Sequence, residues 1–269
     1  MTHTSASPDP DSYLRELFGL RGQTAVVIGG TGTLGGAIAT ALARAGAHVI
    51  IVGRNSDGGK QRVHEISSLG GSAEYFSADS TQRVDLERLA AHLKENGREC
   101  HILVNGAGIN SPTPFLEISE EEWDRIFAVN LTSVKLACQI LGGYMLQCKT
   151  RGSIINIASL SGMTPLSRVF TYSATKAAVL NLTQNLAREW GEQGIRVNAL
   201  SPGFFPAEQN RKVLTPDRIE NVMRHTPMNR FGSPEELAGG VLFLASGRAG
   251  SFTTGANLTI DGGFTAMTI

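Results

Sequence analysis

Residues 24–39 read TAVVIGGTGTLGGAIA, an apolar run that ends in closely spaced glycines and passes directly into small and apolar residues. Few folds accept that order. It suits a β-strand that hands the chain to a helix through a turn too tight for side chains, because glycine permits positive φ and close backbone approach. The alternation continues along the chain. Apolar runs at 24–30, 47–53, 73–79, 101–108, 153–159, 195–203 and 256–263 predict seven strands. Between the first two, Ile38, Ala41, Leu42 and Ala45 recur at helical spacing, as do Leu131, Val134, Cys138, Leu141 and Met145 later.

Strands rich in Val and Ile that alternate with helices imply right-handed βαβ units and a sheet covered on both sides. The expected fold class is therefore α/β: a doubly wound, parallel, seven-stranded sheet with helices on both faces, Rossmann-like, in a single domain. Residues 1–19, polar and proline-bearing at their start, read as a flexible arm before a domain spanning 20–269. The stretch 204–230 is polar and irregular at its ends, with one or two short helices expected inside it. An excursion there, at the carboxyl edge of such a sheet, reads as a substrate lid.

Composition removes several function classes. Lys and Arg number 24, as do Asp and Glu, so no basic surplus recommends a nucleic acid or an anionic membrane as partner. Cys100, Cys138 and Cys148 form no CxxC pair and are odd in number, which suits reduced thiols in a cytoplasmic protein. The six histidines show no metal-ligand spacing. No signal-peptide segment and no apolar run of about 18 residues is evident.

The glycine turn, with Gly29, Thr31, Gly32, Thr33, Leu34 and Gly35, follows the first strand and opens a helix, the setting in which helix N-terminal amides hold a dinucleotide pyrophosphate. At the end of the second strand Gly53 stands where an acid would hold the ribose hydroxyls of NAD, and Arg54 follows with a guanidinium suited to a 2′-phosphate. The expected cofactor is NADP(H) in preference to NAD(H). Asp79, ending the third strand before Ser80, is placed either to accept from the adenine amino group or to cap the next helix.

Tyr172 and Lys176 stand four residues apart and share one helix face. A free phenol titrates near pH ~10, so acid–base work at neutrality needs retuning. A cation at Lys176, with the positive charge of an oxidised nicotinamide, would lower Tyr172 toward the working pH. Ser159, at the carboxyl end of the fifth strand, would then hydrogen-bond the same substrate oxygen, and Asn130 offers a further polar group.

These residues resemble the short-chain dehydrogenase/reductase family in its single-domain form. The likeness runs from about residue 20 to 266 through the glycine turn, NGAG at 105–108, Asn130, Ser159, YSATK at 172–176, SPG at 201–203 and DGG at 261–263. It implies a catalytic tetrad of Asn130, Ser159, Tyr172 and Lys176, with Asn130 holding a relay water. It also implies cofactor contacts from Asn55, Ser80, Asn105, Gly106, Ala107, Gly108, Pro202, Gly203 and Phe205, beside those already given, and a homo-oligomer, dimer or tetramer, formed through Tyr172–Glu189 and 236–269. Two departures stand out. Thr33 occupies the place of the family's middle glycine, with Gly32 beside it, and Ala207 stands where a threonine often lies near the nicotinamide.

The strings PGFFPAEQNRKVL and HTPMNRFGSPEELAGGVLFLAS are similar to the branch described as D-mannonate oxidoreductases or fructuronate reductases. That implies a sugar-acid substrate, with Ser161, Gln209, Asn210 and Arg211 as contacts and Glu208, Arg168, Arg224 or His225 as further candidates. The other readings are reduction of a ketogluconate, sugar alcohol or 3-oxoacyl thioester, and a nucleotide-binding regulatory protein without catalysis.

Overall fold

Alternate residues of a strand face opposite sides of its sheet, so a strand covered by helices on both sides must be apolar throughout. The computed structural model describes residues 9–205 and 215–267. Its strands are β1 (Thr24–Ile28), β2 (His48–Gly53), β3 (Ser72–Ser77), β4 (Ile102–Asn105), β5 (Ser153–Ile157), β6 (Arg196–Pro202) and β7 (Asn257–Ile260). The helices are α1 (Pro10–Phe18), α2 (Thr33–Arg44), α3 (Ser56–Ser68), α4 (Arg83–Glu95), α5 (Glu120–Cys148), α6 (Phe170–Trp190), α7 (Pro216–Arg224) and α8 (Ala238–Ala245).

The sheet order is β3-β2-β1-β4-β5-β6-β7, and every neighbouring pair is parallel. All of β1, β4 and β5 is buried. Val26, Ile28, Ile50 and Val52 face one side and pack with Leu86 and Leu89 of α4 and Leu141 and Met145 of α5. Ala25, Val27, Val49 and Ile51 face the other, against Ile38 and Leu42 of α2 and Val241 and Leu244 of α8. The chain builds from β1 outward through β2 to β3, then returns to β4 and builds the opposite way. That reversal opens a crevice between the carboxyl ends of β1 and β4.

Helix α5 is long and apolar enough to cross a membrane by length and composition, and half of that stretch lies buried inside the fold. Two π-turns interrupt it, at Ala128–Thr132 and Cys138–Gly142, and the first carries Asn130. Such bulges re-aim a side chain without ending the helix.

The stretch read as a flexible arm is in part a helix. In α1, Asp9 accepts from Asp11 N, and Pro10 opens the first turn. The polar residues around them obscure Leu14, Leu17 and Phe18, whose spacing gives the helix one apolar side. Ser246 Oγ donates to Leu17 O at 2.6 Å, and Arg248 pairs with Glu16, which ties α1 to the chain after α8. Of the excursion 204–230, the described part holds one helix, α7, capped by Thr215.

Leu103 lies at the middle of β4 with no exposed surface. Leu103→Ala should cost about 2–5 kcal/mol of stability through lost contacts and the cavity left behind. Denaturant unfolding of the cofactor-free protein would measure it, and a loss below about 1 kcal/mol would contradict this account of the core.

Candidate active site

A helix that follows a strand leaves its first amide N–H groups without partners inside the helix. At α2 those groups stay uncovered by protein: its N-cap is Gly32, no side chain caps it, and no acid occupies its first turn. Close packing places it there. Gly29 has φ of +80°, a Cβ on Gly29 would lie 2.8 Å from Ala107 N, and one on Gly35 would collide with Gly29 O. At Gly32 the nearest atom to such a Cβ would be Gly29 O at 3.5 Å. The shifted middle glycine thus supplies the open N-cap, and Thr33 begins the helix.

These amides open on a cavity of about 410 Å³ that runs from Gly53, Arg54 and Asp79 past the glycine turn to Ser159, Tyr172 and Lys176. An uncapped helix N-terminus with no acid near it, facing a cleft lined by glycine, fits the pyrophosphate of a dinucleotide. Thr31, Leu34, Ser80, Gly106, Ala107, Gly108, Pro202, Gly203 and Phe205 line the same cavity. Gly53 is required beside Thr31, since a Cβ there would approach Thr31 Oγ1 to 2.8 Å.

At the far end Arg54 Nη1 lies 3.6 Å from Asp79 Oδ2, with 73% of the arginine side chain exposed. Asp79 Oδ1 accepts from Thr81 N at 2.9 Å and Thr81 Oγ1 at 2.7 Å. Burial pushes the Asp79 carboxyl up, but the Thr81 hydrogen bonds and the Arg54 charge outweigh it and hold it below the ordinary value. Asp79 therefore caps a turn rather than α4, whose N-cap is Gln82.

Two residues expected at the cofactor stand off the cavity wall. Asn55 caps α3 by accepting from Gly58 N at 3.0 Å. Asn105 is buried behind the wall, where Nδ2 donates to Asn156 Oδ1 at 2.8 Å. Asn55 is taken up by its own helix, whereas Asn105 points into the sheet interior with Oδ1 left without a partner.

Ser159 lies two residues beyond β5, at the start of the short turn Leu160–Gly162, and Tyr172 and Lys176 lie on one face of α6. Lys176 Nζ donates to Ile157 O at 2.7 Å and lies 5.4 Å from the Tyr172 ring centroid. Burial pulls the ammonium down to about 8. Burial also raises the Tyr172 phenol, against a Ser159 hydrogen bond that lowers it. The lowered phenol expected from the sequence is thus not what the chain alone produces: the ammonium sits over the ring, is spent on a carbonyl, and is itself short of solvation.

Asn130 is fully buried off the cavity wall, with Oδ1 accepting from Ile109 N at 2.8 Å and Nδ2 donating to Ile109 O at 2.9 Å. It holds the loop carrying Gly108. A Cβ on Gly108 would stand 3.6 Å from both Asn130 Oδ1 and Lys176 Nζ, so glycine keeps the gap between them open.

Ser161, expected at the substrate, instead serves Ser159: its N–H and Oγ donate to Ser159 Oγ at 3.2 Å and 3.1 Å. His225 packs edge-on against Phe264 with centroids 4.6 Å apart, and Arg224 pairs with Glu220. Glu208, Gln209, Asn210, Arg211 and Ala207 lie outside the described residues. The cavity wall also includes Ile28, Ile38, Ala78, Thr81, Val129 and Ala158. Several are strand-end or helix-face residues whose apolar character reads as core, so only the topology reveals them.

The family described as Enoyl-(acyl carrier protein) reductase matches residues 30–265. The chain is 37% identical over 268 residues to the uncharacterized oxidoreductase UxuB of Bacillus subtilis, covering 92% of this chain and 96% of that protein. It is 38% identical over 261 residues to galactitol 2-dehydrogenase of Rhizobium johnstonii, covering 93% and 98%. The crystal structure of a gluconate 5-dehydrogenase from Burkholderia cenocepacia, in complex with NADP and tartrate, superimposes with a TM-score of 0.90 at 30% identity, over 95% of this chain and all of the other.

The Lys176 geometry carries a stability consequence. The unfolded chain keeps the amine protonated up to about 10.5, the folded chain only to about 8. Between those values the unfolded state binds more protons, so this group's contribution to stability improves as pH rises from 8 to 10.5 and is fully unfavourable below 8, by about 3 kcal/mol. Lys176→Met should therefore unfold later at pH 7, by about 1–3 kcal/mol after the lost carbonyl bond is counted, and the gain should shrink above pH 8. Unfolding curves at pH 7 and pH 9.5 test this; a variant no more stable than the parent at pH 7 would contradict it.

Proposed function

The chain belongs to the short-chain dehydrogenase/reductase family, and from that premise we propose that it is an NADP(H)-dependent oxidoreductase interconverting a secondary alcohol and a ketone on a sugar acid. The observation that carries this reading is the convergence of Ser159, Tyr172 and Lys176 on one wall of the cavity that begins at the uncapped N-terminus of α2. Gly29 to Gly35 would hold the pyrophosphate, and the nicotinamide, when bound, supplies or removes the hydride.

The remaining chemistry belongs to the chain. A hydroxyl oxygen has two lone pairs, and Ser161 addresses Ser159 Oγ with two donors. Ser159 is left to act as a donor, aimed at a substrate oxygen on which negative charge develops. Tyr172, raised by burial, is protonated near neutrality and ready to give its proton to that oxygen when a ketone is reduced. Lys176, pulled down to about 8, exists in both forms near neutral pH and can restore the proton through the gap that Gly108 leaves beside Asn130. A relay water in that gap is carried over from the family resemblance.

Arg54 supports the NADP(H) preference. Its guanidinium is exposed and only loosely paired with Asp79, so a 2′-phosphate can compete for it. The sugar acid rests on two likenesses: sequence strings similar to the D-mannonate oxidoreductase branch, and the gluconate 5-dehydrogenase fold match. The class common to both is a polyhydroxy carboxylate with one reducible carbonyl. We also carry forward a homo-oligomer. Since α8 turns Val241, Leu244 and Ala245 into the core, only its opposite face is available for that contact.

NADPH oxidation over fructuronate, 5-keto-D-gluconate, neutral ketoses and 3-oxoacyl thioesters tests the substrate class; turnover confined to thioesters would overturn it. Tyr172→Phe should lose at least about 100-fold in kcat while NADPH binding is retained, and undiminished turnover would remove the assigned acid. Arg54→Ala should raise the Kd for NADPH about 10-fold or more with little change for NADH, as a lost charge-assisted contact predicts; equal changes would refute the preference.

A further inference from the structure

The loop that joins the Ser159 turn to the first turn of α6 is bracketed by catalytic candidates: Ser159 before it and Tyr172 just after it. Across it lies α7, part of the excursion that leaves the sheet after Phe205, itself a residue of the cavity wall. One arginine joins the two segments. Arg218 donates from Nη1 to Ser167 Oγ at 3.3 Å and from Nη2 to Ser167 O at 3.0 Å. Its guanidinium therefore lies against the peptide that leads into Arg168.

Arg168 adopts φ of +59°, a left-handed backbone that a residue with a Cβ takes up only under constraint. Among the described residues neither Arg168 nor Arg218 pairs with a carboxylate. Burial, and then the Arg168 charge, lower the Arg218 pKa. Two guanidiniums held beside one loop repel each other, and no acid of the described fold relieves them. A planar fork with donors left over matches a carboxylate, which can accept two parallel N–H bonds.

We propose that Arg168 and Arg218, brought together at the loop that runs from Ser159 to Tyr172, form a carboxylate clamp that selects anionic sugar acids over neutral polyols and ketoses. The proposal rests on the sugar-acid reading above and deepens it. It bears on a real division among relatives, since one named above is a galactitol 2-dehydrogenase and another a gluconate 5-dehydrogenase. The clamp grips the end of the substrate away from the reacting carbon, so it acts on binding and leaves the chemical step to Ser159 and Tyr172.

The test compares the full-length parent with Arg168→Gly, Arg218→Gln and the double variant on 5-keto-D-gluconate and L-sorbose. L-Sorbose has the same carbon chain with a primary alcohol in place of the carboxylate. Arg168→Gly also removes the backbone strain, so it should fold at least as well as the parent. Each variant should raise KM for 5-keto-D-gluconate about 10- to 100-fold, with kcat within about twofold and L-sorbose turnover unchanged. Equal losses on both substrates, or no loss on the acid, would overturn the clamp.

A second readout needs no turnover. With NADP⁺ present, gluconate should bind the parent more tightly than glucitol, and the double variant should lose that preference. Should neither ketone be reduced, the sugar-acid reading fails, and the clamp is judged on this comparison alone: a parent that binds gluconate no better than glucitol would overturn it.

Discussion

Lys176 carries its ammonium into the interior, where Nζ donates to Ile157 O at 2.7 Å and only 3% of the residue is exposed. That contact ties the middle of α6 to the carboxyl end of β5, the two elements that carry Tyr172 and Ser159. It requires the helix to come close. A Cβ on Gly162 would stand 2.9 Å from the backbone carbon of Lys176, so glycine is what the turn after Ser159 can tolerate. Burying a cation without a carboxylate is unfavourable, and the lowered pKa of Lys176 expresses that. The fold carries the penalty because the large apolar cores on both faces of the sheet outweigh it. The same penalty makes the amine able to exchange its proton near neutral pH.

Behind the cavity a second set of polar groups is hydrogen-bonded away from solvent, with Asn105 Oδ1 left without a partner. Asn105 donates to Asn156, Asn156 donates to Thr183 Oγ1 at 2.9 Å, and Thr183 donates to Val179 O at 2.8 Å. This chain links β4, β5 and α6 in the interior, where hydrogen bonds are electrostatically stronger and an unmade one is costly. Asn130 does the same for the loop after β4 by exchanging two hydrogen bonds with Ile109. Together these contacts join β4, β5 and α6 to one another and fix the loop after β4 to α5, which places the residues of the cavity wall from behind.

The architecture was legible because its signals are local and repeated. A continuous Val/Ile run must be a buried strand, and GGTGTLGG after one admits little besides a turn into a helix. The grouping of Ser159, Tyr172 and Lys176 was legible through spacing on one helix and position after one strand, while the role of Asn130 entered only through the family resemblance. What escaped depended on partners distant in sequence. Residues 10–18 look like an arm because their apolar residues are few, yet Ser246 and Arg248 from the far end of the chain fasten them. The role of Ser161 in holding Ser159 was hidden, since nothing in SLSG says that its two donors turn back on Ser159. The Tyr172 environment in the chain alone was hidden for a similar reason: the i, i+4 spacing places Lys176 on the same face but does not report that a carbonyl claims its ammonium. Asn55 turns its oxygen onto its own helix, and Asn105 turns its amide onto Asn156 of the next strand, a partner that spacing does not report.

These differences divide the cavity into regions with different tolerance for change. The dinucleotide end is made largely of backbone: amides of α2, glycines whose missing Cβ atoms allow close approach, and strand ends. Side chains contribute little there, so sequence can drift while the glycines stay. The wall that holds Ser159, Tyr172 and Lys176 is made of side chains, with Ser159 accepting from Ser161 and Lys176 fastened to the backbone of β5, so a change at one contact disturbs its neighbours. Beyond that wall, the loop before α6 and the excursion that holds α7 are joined by the contacts of Arg218 with Ser167. Few core side chains depend on that junction; in α7 only Val222 is buried. A fold partitioned this way can change surface charge on those two segments with the sheet, the glycine turn and the Ser159–Tyr172–Lys176 wall left untouched.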